Sequence, residues 1–153
     1  IQPQLLARLG QTVAAAGMVA TGQEVGMALL RLRDSLDARS WPFCLAAVAT
    51  RTRTLCSRLD PKISESEQHD LAEHILRRWV APTCPACRGR GYETIIGTPH
   101  MSGRPCQRCR GAGVLSIDAG LPSGQKPVAQ DVGIWMDERT ASAGRKLSRK
   151  ILP

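Results

Sequence analysis

Two matching half-repeats constrain this chain more than any other feature: Cys84-Pro-Ala-Cys87-Arg-Gly-Arg-Gly91 and Cys106-Gln-Arg-Cys109-Arg-Gly-Ala-Gly113. Each is a C-x-x-C-x-G-x-G unit, and the second starts 22 residues after the first. Together they offer four thiolates, the complement of a closed tetrahedral zinc site that one ion can bridge. The glycines after each pair let the backbone turn tightly, with positive φ where needed. Backbone N–H groups in those turns can face the sulfurs and stabilise their charge. Four cysteines leave no open coordination position, so the site reads as structural rather than catalytic. The expected cofactor is therefore one Zn2+ on Cys84, Cys87, Cys106 and Cys109, contributing folding free energy directly.

Two cysteines remain. Cys44 and Cys56 lie in an otherwise apolar stretch without a C-x-x-C partner and read as small core residues. The chain's 153 residues suffice for one ordinary domain with a real core. Hydrophobic residues make up 42% but aromatics only 3%, so that core must rest on Leu, Ala, Val, Ile and Met. Thiolates used for metal rather than disulfides fit a reducing cytosol. No apolar run approaches membrane-spanning length, and no signal peptide is evident. Opening on Ile1 rather than Met, the sequence is expected to lack native N-terminal residues.

Net charge is +8 and the isoelectric point about 9.8, a balance that favours a polyanionic partner such as nucleic acid. The charge is uneven. Residues 84–113 hold Arg88, Arg90, Arg104, Arg108 and Arg110 against the single Glu93. Residues 139–150 hold Arg139, Arg145, Lys146, Arg149 and Lys150 with no acid among them. Zinc does not require the knuckle arginines. Their bland reading is solubility; their functional reading is phosphate contact or docking on an acidic protein. Two basic patches separated by a flexible stretch can grip a nucleic-acid backbone in two places.

Hydrophobic periodicity makes the chain mainly α. A helix is expected over residues 3–20. A second starts from the capping box Thr21-Gly-Gln-Glu24, with Val25, Leu29, Leu32 and Leu36 as its stripe. A third runs from Ser40 to Leu59 and is stopped by Asp60-Pro61. A fourth, capped by Ser64-Glu-Ser-Glu67, is lined by Leu71, Ile75 and Trp79 and ends at Ala81-Pro82. Its histidines, His69 and His74, are not placed as ligands. Tyr92–Ile96 and His100–Arg104 flank the turn Gly97-Thr-Pro99 as an antiparallel hairpin joining the knuckles. Val114–Ile117 either extends that sheet or begins the exit strand. After a loop from Asp118 to Gln125, one helix is expected over Val128–Trp135 and another, capped by Thr140 or Ser142, to Lys150. Their tight connection suits either a helix-turn-helix or bare helical packing. The expected organisation is thus a helical region, 1–83, a zinc-binding module, 84–117, a linker, 118–126, and a basic helical segment, 127–153.

No catalytic constellation accompanies these elements. The sequence has no P-loop, no H-E-x-x-H and no G-x-S-x-G elbow, and its best-defined carboxylates read as helix caps. A non-enzymatic role is expected.

The C-x-x-C-x-G-x-G units resemble the cysteine-rich zinc domain of DnaJ-type co-chaperones. That domain carries four such repeats and two zinc sites; this chain has two repeats and no His-Pro-Asp signature. The overall layout looks more like the late-gene antiterminator Q family of lambda-type bacteriophages. The likeness rests on a small-residue-rich stretch with Gly17-Met18 and Gly26-Met27, a helix leading into Ala81-Pro82-Thr83 and the first knuckle, a spacer, the second knuckle and a helical C-terminal part. That resemblance implies one zinc on Cys84, Cys87, Cys106 and Cys109. It implies binding to double-stranded DNA at a phage late promoter. It also implies engagement of paused bacterial RNA polymerase through core and sigma factor, in the host cytoplasm. The implied outcome is suppression of pausing and termination. Charge and helix position, not the resemblance, pick Arg139, Arg145, Lys146, Arg149 and Lys150 as first-choice DNA contacts and the knuckle arginines as second. Two other readings compete: a zinc-stabilised protein-docking or DnaJ-like module, and a DNA-binding regulator without antitermination activity.

Overall fold

The structure, a computed structural model, describes residues 22–59 and 62–151. The helix expected over 3–20, the Thr21 cap and the Asp60-Pro61 stop lie outside these residues. Among the described residues, four α-helices and one two-stranded antiparallel hairpin dominate: α1 Gly22–Asp34, α2 Trp41–Leu59, α3 Glu65–Val80, β1 Tyr92–Thr94, β2 Met101–Pro105 and α4 Lys126–Ile151.

Helix α1 buries Val25, Ala28, Leu29 and Leu32, an i, i+3, i+4, i+7 stripe. Leu36 does not continue it. Backbone N–H groups of Ser35 and Asp37 both close on the Arg31 carbonyl. Leu36 is left in the left-handed region at φ 51° and 75% exposed. The Asp37 side chain then accepts from Arg39 N and caps a single 3-10 turn, Ala38–Ser40. Helix α2 follows at Trp41 with Pro42 in its first turn, where a missing N–H costs nothing.

Cys44, Ala47, Val48, Thr52, Leu55 and Cys56 form the buried face of α2. Both cysteines sit fully inside the core, and burial pushes the Cys44 thiol up to about 12, so it is inert at neutral pH. Helix α3 opens on the expected capping box. Ser64 N donates to Glu67 Oε2 at 2.8 Å and Glu67 N donates to Ser64 Oγ at 3.4 Å. Leu71, Ala72, Ile75 and Leu76 are buried, with Trp79 half-buried at the rim.

The C-terminal pair of helices is one helix. Helix α4 runs unbroken from Lys126 to Ile151, so this segment contains no helix-turn-helix. Nothing between Trp135 and Ser142 stops it. The Thr140 hydroxyl, read as a cap, instead donates back to the Met136 and Asp137 carbonyls of the preceding turn. Helix α4 buries Val128, Ala129, Val132 and Met136 in the same core as the other three helices. It approaches α1 tightly at Gly26, where a Cβ would run into the Arg139 carbonyl and meet the Ala143 methyl at 3.0 Å. The loop before α4 is a chain of tight turns, pinned by Gln130 Nε2 donating to Asp118 Oδ2 at 2.9 Å. None of the described helices is long and apolar enough to cross a membrane.

Candidate metal centre and basic surface

The two half-repeats fold as near copies. Arg88 and Arg110 both take φ 52°; Gly89 and Gly111 take 83° and 90°; Gly91 and Gly113 take 78° and 73°. The copies are cross-linked reciprocally. Cys84 N donates to Gly113 O at 2.8 Å, and Cys106 N donates to Gly91 O at 2.7 Å. A Cβ on Gly91 would run into the Gly111 carbonyl, and one on Gly113 into the Gly89 carbonyl. Only glycine meets both the left-handed conformation and the close approach.

This arrangement brings the four sulfurs together. All four cysteines are buried, and their Sγ atoms lie within 4.8 Å of one another. Cys84 and Cys106 sulfurs are 4.0 Å apart, and those of Cys87 and Cys109 3.6 Å. A tetrahedral zinc with bonds near 2.3 Å would separate its sulfurs by about 3.8 Å. The observed pairs bracket that value and are far longer than a disulfide. Gly91 N donates to Cys87 Sγ at 3.3 Å and Gly113 N to Cys109 Sγ at 3.2 Å, the charge-stabilising contacts expected of the turns. Burial raises both thiols. At Cys87 the Gly91 N–H and the neighbouring thiols outweigh it and draw the group down to about 7. At Cys109 burial and its neighbours prevail and hold it up to about 11. Among the described residues these four are the one cluster of His, Cys, Asp and Glu side chains converging on a metal-sized space. The donor set and spacing fit a tetrahedral thiophilic ion.

The hairpin leaves from between the knuckles. Tyr92 pairs with Pro105 and Thr94 with Met101, with an irregularity between them. Val114 does not join that sheet; it bridges Thr83 on the entry side, and Leu115 N donates to Pro82 O at 2.8 Å. The exit segment therefore ties two cores together. Leu115 packs on the cysteines and Ile117 on the helical bundle.

No protein-family model, curated protein or solved structure matches this chain.

Arg88, Arg90, Arg104, Arg108 and Arg110 are all exposed, and none takes part in the ion pairs found among the described residues. Arg145, Lys146 and Arg149 are exposed on the last turns of α4, which also include Lys150. Arg139 is exposed but folds over the Trp135 ring at 6.0 Å and against Gly22, apart from the helix end. The exit segment of the metal module docks on the first half of α4. Ile117 of the metal module packs at Gly133, sixteen residues before Arg149, or about 24 Å along the helix axis. A continuous helix, rather than a flexible stretch, carries the chain from that contact to Arg149.

Sequence reasoning missed two features. The first is a cleft of 640 Å³ where the metal module meets the bundle, walled by Trp79, Pro82, Leu115, Ile117 and Ile134. Trp79 Nε1 donates to Asp137 Oδ1 at 2.9 Å there, with Arg33 stacked on its ring at 4.7 Å. Nearby, burial and then the Arg78 charge lower the pKa of His74, despite a hydrogen bond to the Ile117 backbone. The second is the bare apolar tip of the hairpin, where Ile96 is 99% exposed. The signal for it was a β-prone apolar run on a ribbon with no second sheet to cover it.

Proposed function

We propose that this chain is a non-enzymatic, zinc-organised DNA-binding regulator of transcription. One observation carries the reading: a sulfur cluster of zinc-like dimensions fixes a small body whose five outward arginines lie outside the observed ion pairs. Such a surface suits phosphate contact, and the basic end of α4 supplies a second foothold. Zinc would be held by Cys84, Cys87, Cys106 and Cys109 and would supply structure alone. The resemblance to the phage Q family extends the reading. The DNA would be a late promoter, and the partner host RNA polymerase with its sigma factor in the bacterial cytoplasm. The activity would be suppression of pausing and termination.

A zinc-stabilised protein-docking module is the second reading, favoured by the exposed Ile95 and Ile96 at the hairpin tip. Terminator read-through in a purified transcription reaction separates the two. The template carries the source phage's late promoter, with zinc-loaded protein added or withheld and DNA binding measured in parallel. Read-through that needs both promoter-proximal DNA and intact Cys106 supports antitermination. DNA binding with unchanged elongation leaves a regulator without that activity. Folded, zinc-loaded protein that binds no DNA leaves the docking module.

A further inference from the structure

The hairpin tip is a prong with an unusual combination of surfaces. From Thr94 to Ser102 it contains no Lys, Arg, Asp or Glu. Ile96 is 99% exposed, Met101 53% and Ile95 47%, and Pro99 is exposed beside them. The tip is held in shape by Ile95 N donating to His100 O at 3.0 Å and Thr98 N to Ile95 O at 3.1 Å. Its root is fixed by the Cys106 N to Gly91 O bond at the sulfur cluster. The two knuckles joined at that root and the strand beside them carry Arg88, Arg90, Arg104, Arg108 and Arg110, all exposed, with Glu93 the one acid in residues 84–113. An apolar prong on a cationic base is complementary to an object with anions outside and apolar faces within. Duplex DNA has that design: phosphates at the rim and stacked bases at the floor of each groove. The reach also fits. Ile96 lies in the turn, two residues beyond the Thr94–Met101 pair and four beyond Tyr92–Pro105, so the prong reaches at most about 13 Å from its root. A minor groove is about 7.5 Å deep but only about 6 Å wide, so the tip reaches its floor by prising the groove open, with the arginines left towards the phosphates.

Resting on the DNA-binding reading above, we propose that this hairpin enters the minor groove and that Ile96 wedges into a base step, kinking the duplex. Apolar side chains inserted from that side unstack steps and bend DNA. Flexible TA and CA steps would be preferred because they unstack most easily.

The test uses the full zinc-loaded chain and a duplex of about 30 base pairs with a central TA step, labelled at both ends for energy transfer. Anisotropy reports binding and energy transfer reports bending. The parent should shorten the end-to-end distance. Ile96→Ser should bind with less than about tenfold loss, because phosphate contacts carry affinity, yet bend the duplex far less. Ile96→Met, another wedge side chain, should restore the bend. Equal bending by the parent and Ile96→Ser overturns the proposal, as does a parent that binds without bending. Loss of polymerase association in Ile96→Ser with bending unchanged overturns it too and assigns the tip to a protein. A parent that binds no DNA overturns the DNA-binding reading itself, a result distinct from binding without a bend.

Discussion

Arg88 and Arg110 hold a left-handed backbone at φ 52°, a conformation that costs an L-residue about 1–2 kcal/mol and that glycine adopts freely. Both side chains are exposed. The proposed DNA contact would give the exposed Arg88 side chain a use that glycine lacks. Arg88→Gly should therefore make the metal module more resistant to zinc loss on titration with a chelator, and at the same time weaken DNA binding. Equal DNA affinity in parent and variant would remove Arg88 from the contact surface. The cysteines were legible in the sequence because a C-x-x-C pair has few structural uses and two pairs have fewer. The left-handed arginines were not, since backbone conformation at a non-glycine residue follows from tertiary closure rather than residue type. Leu36 failed for the same kind of reason. Its spacing fits the α1 stripe, but the helix ends two residues earlier, at Asp34, with the chain closing on the Arg31 carbonyl.

At the scale of elements, the capping box was legible to the residue, because its signal is local. Removing the Ser64 hydroxyl should destabilise the protein by about 1 kcal/mol in urea unfolding at neutral pH. Hydrogen bonds from the Ser64 side chain and then its backbone hold the Glu67 carboxyl below the usual glutamate range. Since that folded-state pKa lies below the unfolded one, the contribution is present at neutral pH and disappears as the pH falls through the folded value. Ser64→Ala should thus cost less at acid pH than at neutral pH, and an equal cost at both would contradict the assignment. The continuity of α4 was not legible, because Thr140 and Ser142 are as suited to capping as to folding back on the previous turn. Only the finished helix, with the Thr140 hydroxyl on the Met136 carbonyl, distinguishes the two. The single helix leaves Arg145, Lys146 and Arg149 exposed at its far end. Neutralising the three should weaken DNA binding and flatten its dependence on salt, by about 0.9 in logarithmic slope for each phosphate that is no longer neutralised. An unchanged slope would leave the knuckles as the whole electrostatic footprint.

The described residues form two cores with different origins. Buried residues from all four helices, together with Ile63, form the larger one by apolar contact. The smaller consists of four cysteines and Leu115, too few apolar atoms to hold residues 84–113 without a metal. Removing zinc with a chelator should therefore abolish amide protection across the knuckles and hairpin while most helical circular dichroism remains. Loss of the helical signal in the same step would mean that the Leu115–Ile117 link makes the two cores one cooperative unit. Composition foretold the larger core's reliance on aliphatic side chains. It gave no sign of the cleft between the cores, which depends on how the exit segment docks on α4. Both the folded knuckles and the arginine surface depend on the sulfur cluster, so the metal content of the intact chain is the most direct test. Native mass spectrometry after purification with zinc should find one zinc per chain in the parent and none in Cys106→Ser. A parent without zinc, or a variant that retains it, would contradict a zinc-organised fold.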